Sequence, residues 1–340
     1  MSDPIGTGRL RHRLGRRRFL AALASGLLAA PLAAQAQSER KVPKIGIINF
    51  ADPPVRGPSA GLFWEPMRKL GWVEGQNVVV ERRNAAGDSN QIPRLAEELV
   101  QLHVDVFLVT GARAAQQIQR VTQTIPICAY SGDFQAAGVV TNLAKPDRNV
   151  TGVQDVDVDL AGKRLALLKE AAPSLTRAGM LLPNRRDPTL AALVRAADEG
   201  ARPLGLQLMV VESPRPEDFV EAFAALTKAR VRGLMVAETP FTYQHHSQIL
   251  ALAAKNRLAA IYEKRYWVEA GGLISYGVVQ AEIGRRMAEC VDKILRGAKP
   301  SEVPVQQLNT FELVINLKTA KALGLTIPPS LLARADQVIE

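Results

Sequence analysis

Short apolar runs alternate along most of the chain with longer segments whose apolar residues recur every three or four positions. The run at 44–49 (KIGIIN) is typical of a buried strand, whereas 91–102 has the spacing of an amphipathic helix. Such alternation predicts βαβ units, because parallel strands need long crossovers that cover the sheet with helices. The chain is therefore expected to be an α/β protein.

The predicted elements form two successive sets of similar length. The first set has predicted strands at 44–49, 77–81, 105–109 and 125–129, and predicted helices at 61–70, 91–102 and 112–121. The second has predicted strands at 177–182, 207–211, 231–237 and 259–262, and predicted helices at 160–171, 190–204, 217–229 and 243–256. Residues 144–152 contain Pro, Asp, Asn and Gly, which predicts a turn and a crossing between the sets. Two such sets predict two Rossmann-like lobes with parallel sheets rather than one large sheet.

The first 36 residues have a different pattern. Basic Arg16–Arg18 precede the uncharged apolar stretch 21–34, and small residues at 34–36 (AQA) suit a cleavage site. This arrangement predicts a secretory signal peptide over 1–36, with a soluble mature protein in the periplasm. An arginine pair followed by Phe19-Leu20 favours the twin-arginine route, and a general secretory signal with extra positive charge is the alternative.

Composition and charge narrow the class of protein. The 340 residues suffice for two domains, and 47% hydrophobic with 22% charged residues is typical of a soluble globular chain. The net charge of +10 raises the question of nucleic-acid binding. Half of that charge lies in the signal segment, however, and the remaining Lys and Arg are scattered among acids. We see no basic stripe with interleaved aromatic residues, which argues against a nucleic-acid partner.

The cysteines and histidines do not indicate a metal or redox site. Cys128 lies in an apolar run and Cys290 in a helical pattern, without a CxxC pair, and whether the two form a disulfide stays open. His245 and His246 are adjacent, so on a helix they point about 100° apart and do not readily share one metal ion. His103 precedes a strand and is expected at the surface. No metal and no cofactor are therefore expected.

Candidate ligand-binding residues lie at the carboxyl ends of the predicted strands, where open parallel sheets bind their ligands. They are Asn49, Thr110, Gly111, Tyr130, Asp133, Asn184, Glu238, Tyr262 and Tyr276. Thr110-Gly111 directly precedes a helix whose first amides would suit a carboxylate, and the tyrosines offer flat apolar walls with a polar edge. The alternative is that these residues are ordinary caps, turn formers or core rings.

Charged residues near the same strand ends predict the character of the ligand. Asp133 and Glu238 would suit an ammonium group, and Arg185, Arg186 and Arg265 could pair with a carboxylate. We therefore predict a small, carboxylate-bearing, amino-acid-like solute. The sequence has no GxSxG, HExxH, P-loop or GxGxxG motif, so we expect no catalysis. An acid–base pair of Asp133 and Glu238 across a cleft is the enzymatic alternative.

Five stretches, in order along the chain, resemble one family. They are residues 70–77 (LGWVEGQN), 143–152 (LAKPDRNVTG), 269–277 (EAGGLISYG), 291–300 (VDKILRGAKP) and 311–327 (FELVINLKTAKALGLTI). Each is a weak signal alone, but together they cover nearly all of the mature chain. They resemble the ABC transporter substrate-binding proteins of the tryptophan-binding, TrpX-like type.

The resemblance implies a type-1 periplasmic-binding-protein fold, with three crossings between two lobes and the ligand in the cleft between them. The long predicted helix at 281–295 would then return to the first lobe. The implied domains are 42–155 plus 277–303 for lobe 1, and 156–276 plus 304–340 for lobe 2. The implied function is hinged capture of a solute by a monomer that serves an ABC permease in the inner membrane. A binding protein that feeds a membrane sensor is the alternative.

Overall fold

The computed structural model describes residues 42–50, 58–155 and 157–340, so the predicted signal peptide lies outside the described residues. Residues 42–155 contain β1 (Lys44–Asn49), α1 (Pro58–Lys69), β2 (Val79–Asn84), α2 (Ile92–Gln101), β3 (Val106–Thr110), α3 (Ala112–Val121), β4 (Ile127–Ser131) and β5 (Val150–Gln154). None of the helices in the described part of the chain is long and apolar enough to cross a membrane.

The rest of the chain continues the alternation of helices and strands. Residues 157–278 contain α4 (Asp157–Ala171), β6 (Arg177–Leu182), α5 (Pro188–Ala201), β7 (Gln207–Glu212), α6 (Asp218–Lys228), β8 (Gly233–Val236), α7 (Pro240–Gln244), α8 (His246–Lys255), β9 (Ala259–Tyr262), α9 (Arg265–Glu269) and β10 (Ile274–Val278). The remaining elements are α10 (Gln280–Leu295), β11 (Gln306–Gln307), β12 (Phe311–Asn316), α11 (Leu317–Leu323), α12 (Pro329–Leu332) and β13 (Gln337–Ile339).

These strands form two sheets, one in each lobe. The first sheet has six strands in the order β11-β5-β4-β3-β1-β2, and all of its pairs are parallel. The second has seven strands in the order β13-β12-β10-β9-β8-β6-β7, and its one antiparallel pair is β10 with β12. The prediction of an α/β protein with two Rossmann-like lobes is confirmed.

Each sheet separates two apolar clusters, because neighbouring residues of a strand point to opposite faces. In β6, Met180 and Leu182 join one cluster while Leu181 joins the other. In β4, Ile127 packs on one face and Cys128 on the other. Burial on both faces explains why these strands are apolar throughout rather than alternating with polar residues.

The long helix α10 returns to the first lobe and packs against α1 and the strands β3, β4 and β5. The approach is close: a Cβ added at Gly284 would lie 2.1 Å from the carbonyl oxygen of Leu62. Beneath the helix, the Sγ atoms of Cys290 on α10 and Cys128 on β4 are 2.8 Å apart, and both residues are fully buried. Helix α10 and the first sheet thus pack together through a buried interface.

Two predicted elements differ from the structure. The stretch 144–152 contains a turn, but its last residues begin strand β5, where Val150 and Val153 are fully buried. Thr151 and Gly152 interrupt the apolar run there and hide the strand from the hydrophobic pattern. The predicted helix 243–256 is two helices, because α7 starts earlier with a Thr239 capping box and ends at Gln244.

The crossings between the lobes follow from the strand pairing. The chain leaves the first sheet after β5, returns after β10 and leaves again between β11 and β12. Gly277 and Val278 still pair with β12, and Gln306 still pairs with Val153 of the first sheet. Strand pairing thus continues to Val278 in the second sheet and to Gln307 in the first, and the domain boundaries at 277 and 303 stay a prediction.

Candidate functional site

A cavity of about 1090 Å³ lies between the lobes and is lined by residues of both. In the first lobe its lining comes from the ends of β1, β3, β4 and β5 and the residues after them. In the second lobe it comes from the residues after β6, β8 and β9, together with α7 and α9. The cavity therefore lies at the carboxyl ends of the parallel strands, where α/β sheets bind ligands.

The first lobe presents the start of helix α3 to the cavity. Thr110, Gly111 and Ala112 line it, and Gly111 has φ 101°, a conformation that favours glycine. No side chain caps the first turn of α3, and Arg113 in that turn also lines the cavity. Amide groups at a helix start combined with an arginine can hold a carboxylate.

An ion pair joins the two lobes at the cavity. Asp155 directly follows β5, and Lys264 follows β9 in the other lobe; their Oδ2 and Nζ atoms are 2.5 Å apart. The side chains are only 2% and 4% exposed, so the pair is largely shielded from water. The Tyr130 hydroxyl donates to the same Asp155 oxygen, and the Lys264 ammonium lies 5.9 Å from the centre of the Tyr130 ring.

The second lobe presents aromatic rings. Tyr243, His246 and Tyr266 all line the cavity and pack on one another, with ring centroids 5.1 to 6.0 Å apart. Glu238 supports them, because its carboxylate accepts the Tyr266 hydroxyl at 2.8 Å and the Trp267 indole N–H at 2.7 Å. Burial, followed by the Glu238 charge, raises the pKa of Tyr266 far above its usual range. Tyr266 therefore stays a neutral donor that faces a carboxylate.

Behind this wall lies a second buried ion pair. Glu263 is 2% exposed; its Oε1 accepts the backbone N–H of Glu238 at 3.1 Å and lies 3.7 Å from the fully buried Arg164. Arg164 also donates through Nε to the carbonyl oxygen of Tyr276 at 2.7 Å. This pair connects α4, the end of β9 and β10, and so fixes the floor of the cavity in the second lobe.

The structure brings most of the predicted site residues together. Those that line the cavity are Asn49, Thr110, Gly111, Tyr130, Asp133, Asn184 and Glu238. Three of them already use their side chains locally. Asp133 accepts the N–H groups of two following residues at 2.9 Å, Asn184 accepts that of Arg186, and Glu238 holds the aromatic wall.

Two predicted tyrosines lie elsewhere. Tyr262 is 1% exposed and stacks on Trp267 at 4.7 Å, inside the core of the second lobe. The Tyr276 ring packs near Phe311, with centroids 6.1 Å apart, and does not line the cavity. Because side chains alternate along a strand, a position near its end does not say whether the ring points to the cleft or to the core.

The three arginines predicted to meet a carboxylate also lie outside the cavity lining. Arg185 pairs with Glu212 at 2.7 Å, and Arg265 pairs with Glu269 at 2.8 Å. Arg186 is exposed. Each arginine lies several residues after the end of a strand. A nearby acid directs Arg185 and Arg265 away from the cavity, and the turn does so for Arg186. The basic residues that do line the cavity are Arg113 and Lys264, which the sequence pattern did not single out.

The two-lobed fold and the cavity between the lobes define a solute-binding protein of the type-1 periplasmic-binding-protein class. The family model described as ABC transporter substrate binding protein matches residues 44–339, so the chain belongs to that family. The resemblance noted in the sequence is thereby confirmed.

Known relatives are similar to this protein over most of its length. It is 23% identical over 288 residues to a tyrosine-binding protein of Clostridioides difficile (strain R20291), covering 84% of this chain and 82% of the relative. It is 26% identical to an ABC domain from Streptococcus pneumonia solved in complex with L-Trp, with a TM-score of 0.79, covering 87% of this chain and 99% of the other.

A third relative was solved without ligand. It is the open structure of a substrate-binding protein with adhesive properties from Clostridium difficile, 25% identical, with a TM-score of 0.63, covering 88% of this chain and 99% of the other. Identity and coverage nearly equal those of the L-Trp complex, yet the TM-score is lower. As a whole, the fold is thus more similar to that of the complex.

Proposed function

We propose that this protein is the exported binding subunit of an ABC transporter, which encloses an amino acid with an aromatic side chain and passes it to a permease. The observation that carries the proposal is the cavity between the lobes, whose two walls offer different and complementary chemistry. Its volume is near the upper end of the range that small-molecule sites occupy. No catalytic step and no cofactor form part of the proposal.

The charges of the cavity favour a ligand that carries an ammonium group. The carboxyl side chains that line it belong to Asp133, Asp155, Asp159, Asp187, Glu238, Glu263 and Glu269, and the basic ones to Arg113 and Lys264. Lys264, Arg164 and Arg265 pair with Asp155, Glu263 and Glu269, which leaves four of these acids against Arg113. The remaining excess of negative charge focuses a favourable potential on a cation inside the cleft. The start of α3 with Arg113 is a region of the lining suited to a carboxylate. A zwitterionic amino acid matches both.

The rings of Tyr243, His246 and Tyr266 favour an aromatic side chain on that amino acid. Edge-to-face and offset stacked rings attract each other beyond their buried area, and these three already pack in that manner. The relatives agree, since one is called tyrosine-binding and another was solved with L-Trp. Export through the segment 1–36, action as a periplasmic monomer and docking to a permease complete the proposal.

A binding panel tests the ligand. Calorimetry of the purified protein against L-tryptophan, L-tyrosine, L-phenylalanine, benzoate, L-alanine and ribose should give the highest affinity for one of the aromatic amino acids. Thermal denaturation with the same compounds should show a matching gain, about 2.7 kcal/mol at one hundred times the dissociation constant. Preferred binding of ribose or benzoate would show that the ligand class is wrong, and turnover of a bound compound would show an enzyme.

A matched pair of variants locates the ligand. Tyr243→Leu removes a ring from the cavity lining and should weaken aromatic amino acids about two- to tenfold, since a stacked ring contributes about 0.5–1.5 kcal/mol beyond its buried area. Tyr276→Leu removes an equal ring that packs near Phe311 and should leave the affinity unchanged. Equal effects of the two variants would place the ligand elsewhere.

A further inference from the structure

The two lobes approach each other closely at one edge of the cavity. Gly132 follows β4 in the first lobe, and Thr189 lies in the first turn of α5 in the second; both line the cavity. A Cβ added at Gly132 would lie 2.9 Å from the Thr189 Cγ2 methyl, which is the one atom within 4 Å of it. Carbon atoms in contact prefer about 3.5–4.0 Å, so an alanine at 132 fits only if the Thr189 methyl or the lobes shift.

The geometry around this contact excludes a simpler role for the glycine. Gly132 does not have a positive φ, so its backbone conformation is open to any residue. The backbone of the opposing residue is fixed, because the Asp187 carboxylate accepts the backbone N–H of Thr189 at 2.9 Å at the start of α5. The absence of a side chain at 132 is therefore explained by the neighbouring lobe and not by its own turn.

A second close approach joins a loop of the first lobe to a helix of the second. A Cβ added at Gly87, which follows β2, would lie 3.1 Å from the Gln244 Oε1 at the end of α7. Gly87 also has φ 83°, so a substitution there strains the backbone as well. Of these two glycines, Gly132 is thus the one at which an added Cβ changes the distance between the lobes without also straining the backbone.

We propose that Gly132 and Thr189 form the stop that sets how far the lobes close, and that glycine at 132 is required for closure onto a ligand. The inference rests on the proposed function in that it assumes capture by closure of the lobes. An added methyl group reduces the fraction of molecules that reach the closed state. Because apparent affinity scales with that fraction, ligand binding weakens while the separate lobes remain folded.

A double-mutant cycle with L-tryptophan as the probe tests the stop. Gly132→Ala should weaken binding about tenfold, the scale of an overpacked contact. Thr189→Ser removes the Cγ2 methyl and gives the reference affinity of the cycle. Gly132→Ala/Thr189→Ser should bind as tightly as Thr189→Ser alone, since the opposing methyl is gone. The control Gly61→Ala adds a methyl where no atom of the described residues lies within 4 Å, and it should not change binding. Equal affinity of Gly132→Ala and wild type overturns the proposal.

A second experiment needs no ligand. Oxidation of the Gly132→Cys/Thr189→Cys variant with copper(II)–phenanthroline, which accepts the two electrons, should join the new thiols in a disulfide that peptide mass spectrometry identifies. Gly132→Cys alone should form no such link. If the link forms but wild type does not bind L-tryptophan, the ligand proposed above is wrong and the contact between the lobes stands. If no link forms, the lobes do not meet at this point and the stop does not exist.

Discussion

The two walls of the cavity are built in different ways. The first lobe offers main chain: the uncapped start of α3, the turn around Asp133 and glycines at 111 and 132. The second offers side chains, namely the rings of Tyr243, His246 and Tyr266. Main-chain groups are held by the backbone itself, whereas rings must be held by other side chains. Accordingly, Glu238 supports the aromatic wall, because it accepts hydrogen bonds from Tyr266 of the wall and from the adjacent Trp267.

This difference between the two walls predicts which substitutions lower stability or ligand affinity. The wall of side chains should depend on residues that need not touch the ligand, because removing a buried partner leaves a polar group unsatisfied. Apart from Arg113, which the proposal assigns to a carboxylate, the main-chain wall should tolerate most side-chain changes and respond chiefly to an added Cβ. The ion pair of Asp155 and Lys264 joins the two walls, so it should respond most strongly of all.

The largest effect is expected for Lys264→Met, which leaves the buried Asp155 carboxylate without this ammonium. Breaking one partner of a buried ion pair costs about 3–5 kcal/mol, and we expect that loss in urea-induced unfolding. Asp155→Asn/Lys264→Met should lose less than Lys264→Met alone. The exposed pair is the control: Arg185→Met should cost under about 1 kcal/mol. A loss of that small size for Lys264→Met would contradict the burial of the pair.

An intermediate effect is expected for Glu238→Ala, which removes the acceptor of Tyr266 and Trp267. Hydrogen bonds to a charged group contribute about 1.5–3 kcal/mol each, so unfolding should be easier by about 3 kcal/mol and ligand affinity should fall. Its counterpart in the first lobe is Asp133→Ala, which removes a turn cap and should cost about 1 kcal/mol. Equal losses for the two acids would remove the distinction between the walls.

The smallest effect concerns two glutamates outside the cavity lining. Hydrogen bonds from Arg285 and then Arg286 lower the pKa of Glu282 to about 2, from 4.5. A lowered pKa stabilises the fold above 4.5, and this contribution disappears as pH falls to about 2. Glu282→Gln should therefore be less stable than wild type at pH 7, by under about 1 kcal/mol because its partner Arg285 is exposed to solvent, and equal to it near pH 2. Calorimetric unfolding across this range measures the difference.

Glu312 in the second lobe provides the opposite case. Burial raises its pKa above 4.5 despite the nearby Arg265. A raised pKa means that ionisation opposes folding, so wild type should lose stability relative to Glu312→Gln as pH rises through that pKa. The same sign of pH dependence for both variants would contradict the assigned shifts.

The strands were predictable because burial on both faces leaves an unbroken apolar run. β6 and β9 have the bounds that the sequence predicted, 177–182 and 259–262. Most of the residues chosen from the predicted strand ends do line the cavity, because parallel strands end at one edge of their sheet. Side-chain direction was not predictable, and Tyr262 shows why, because its ring turns into the core against Trp267.

The residues that the sequence missed share a physical cause. Lys264 and Tyr266 belong to a tight turn and a five-residue helix, which are too short to show any periodicity. Arg164 lies in a long helix but is buried because its partners, Glu263 and the Tyr276 carbonyl, come from strands about a hundred residues further along the chain. Partners that distant in sequence leave no local pattern.

The burial of Cys128 and Cys290 between α10 and β4 has a consequence for the oxidation state of the two sulfur atoms. Cys128 and Cys290 are fully buried, and burial raises the pKa of the Cys128 thiol, so neither sulfur is open to an oxidant once the lobe has folded. Their oxidation state is thus decided before folding ends. A chain that folds in a reducing compartment keeps two thiols, and a chain that folds in an oxidising one can bond them. The state of the pair therefore reports whether the chain folded under reducing or oxidising conditions.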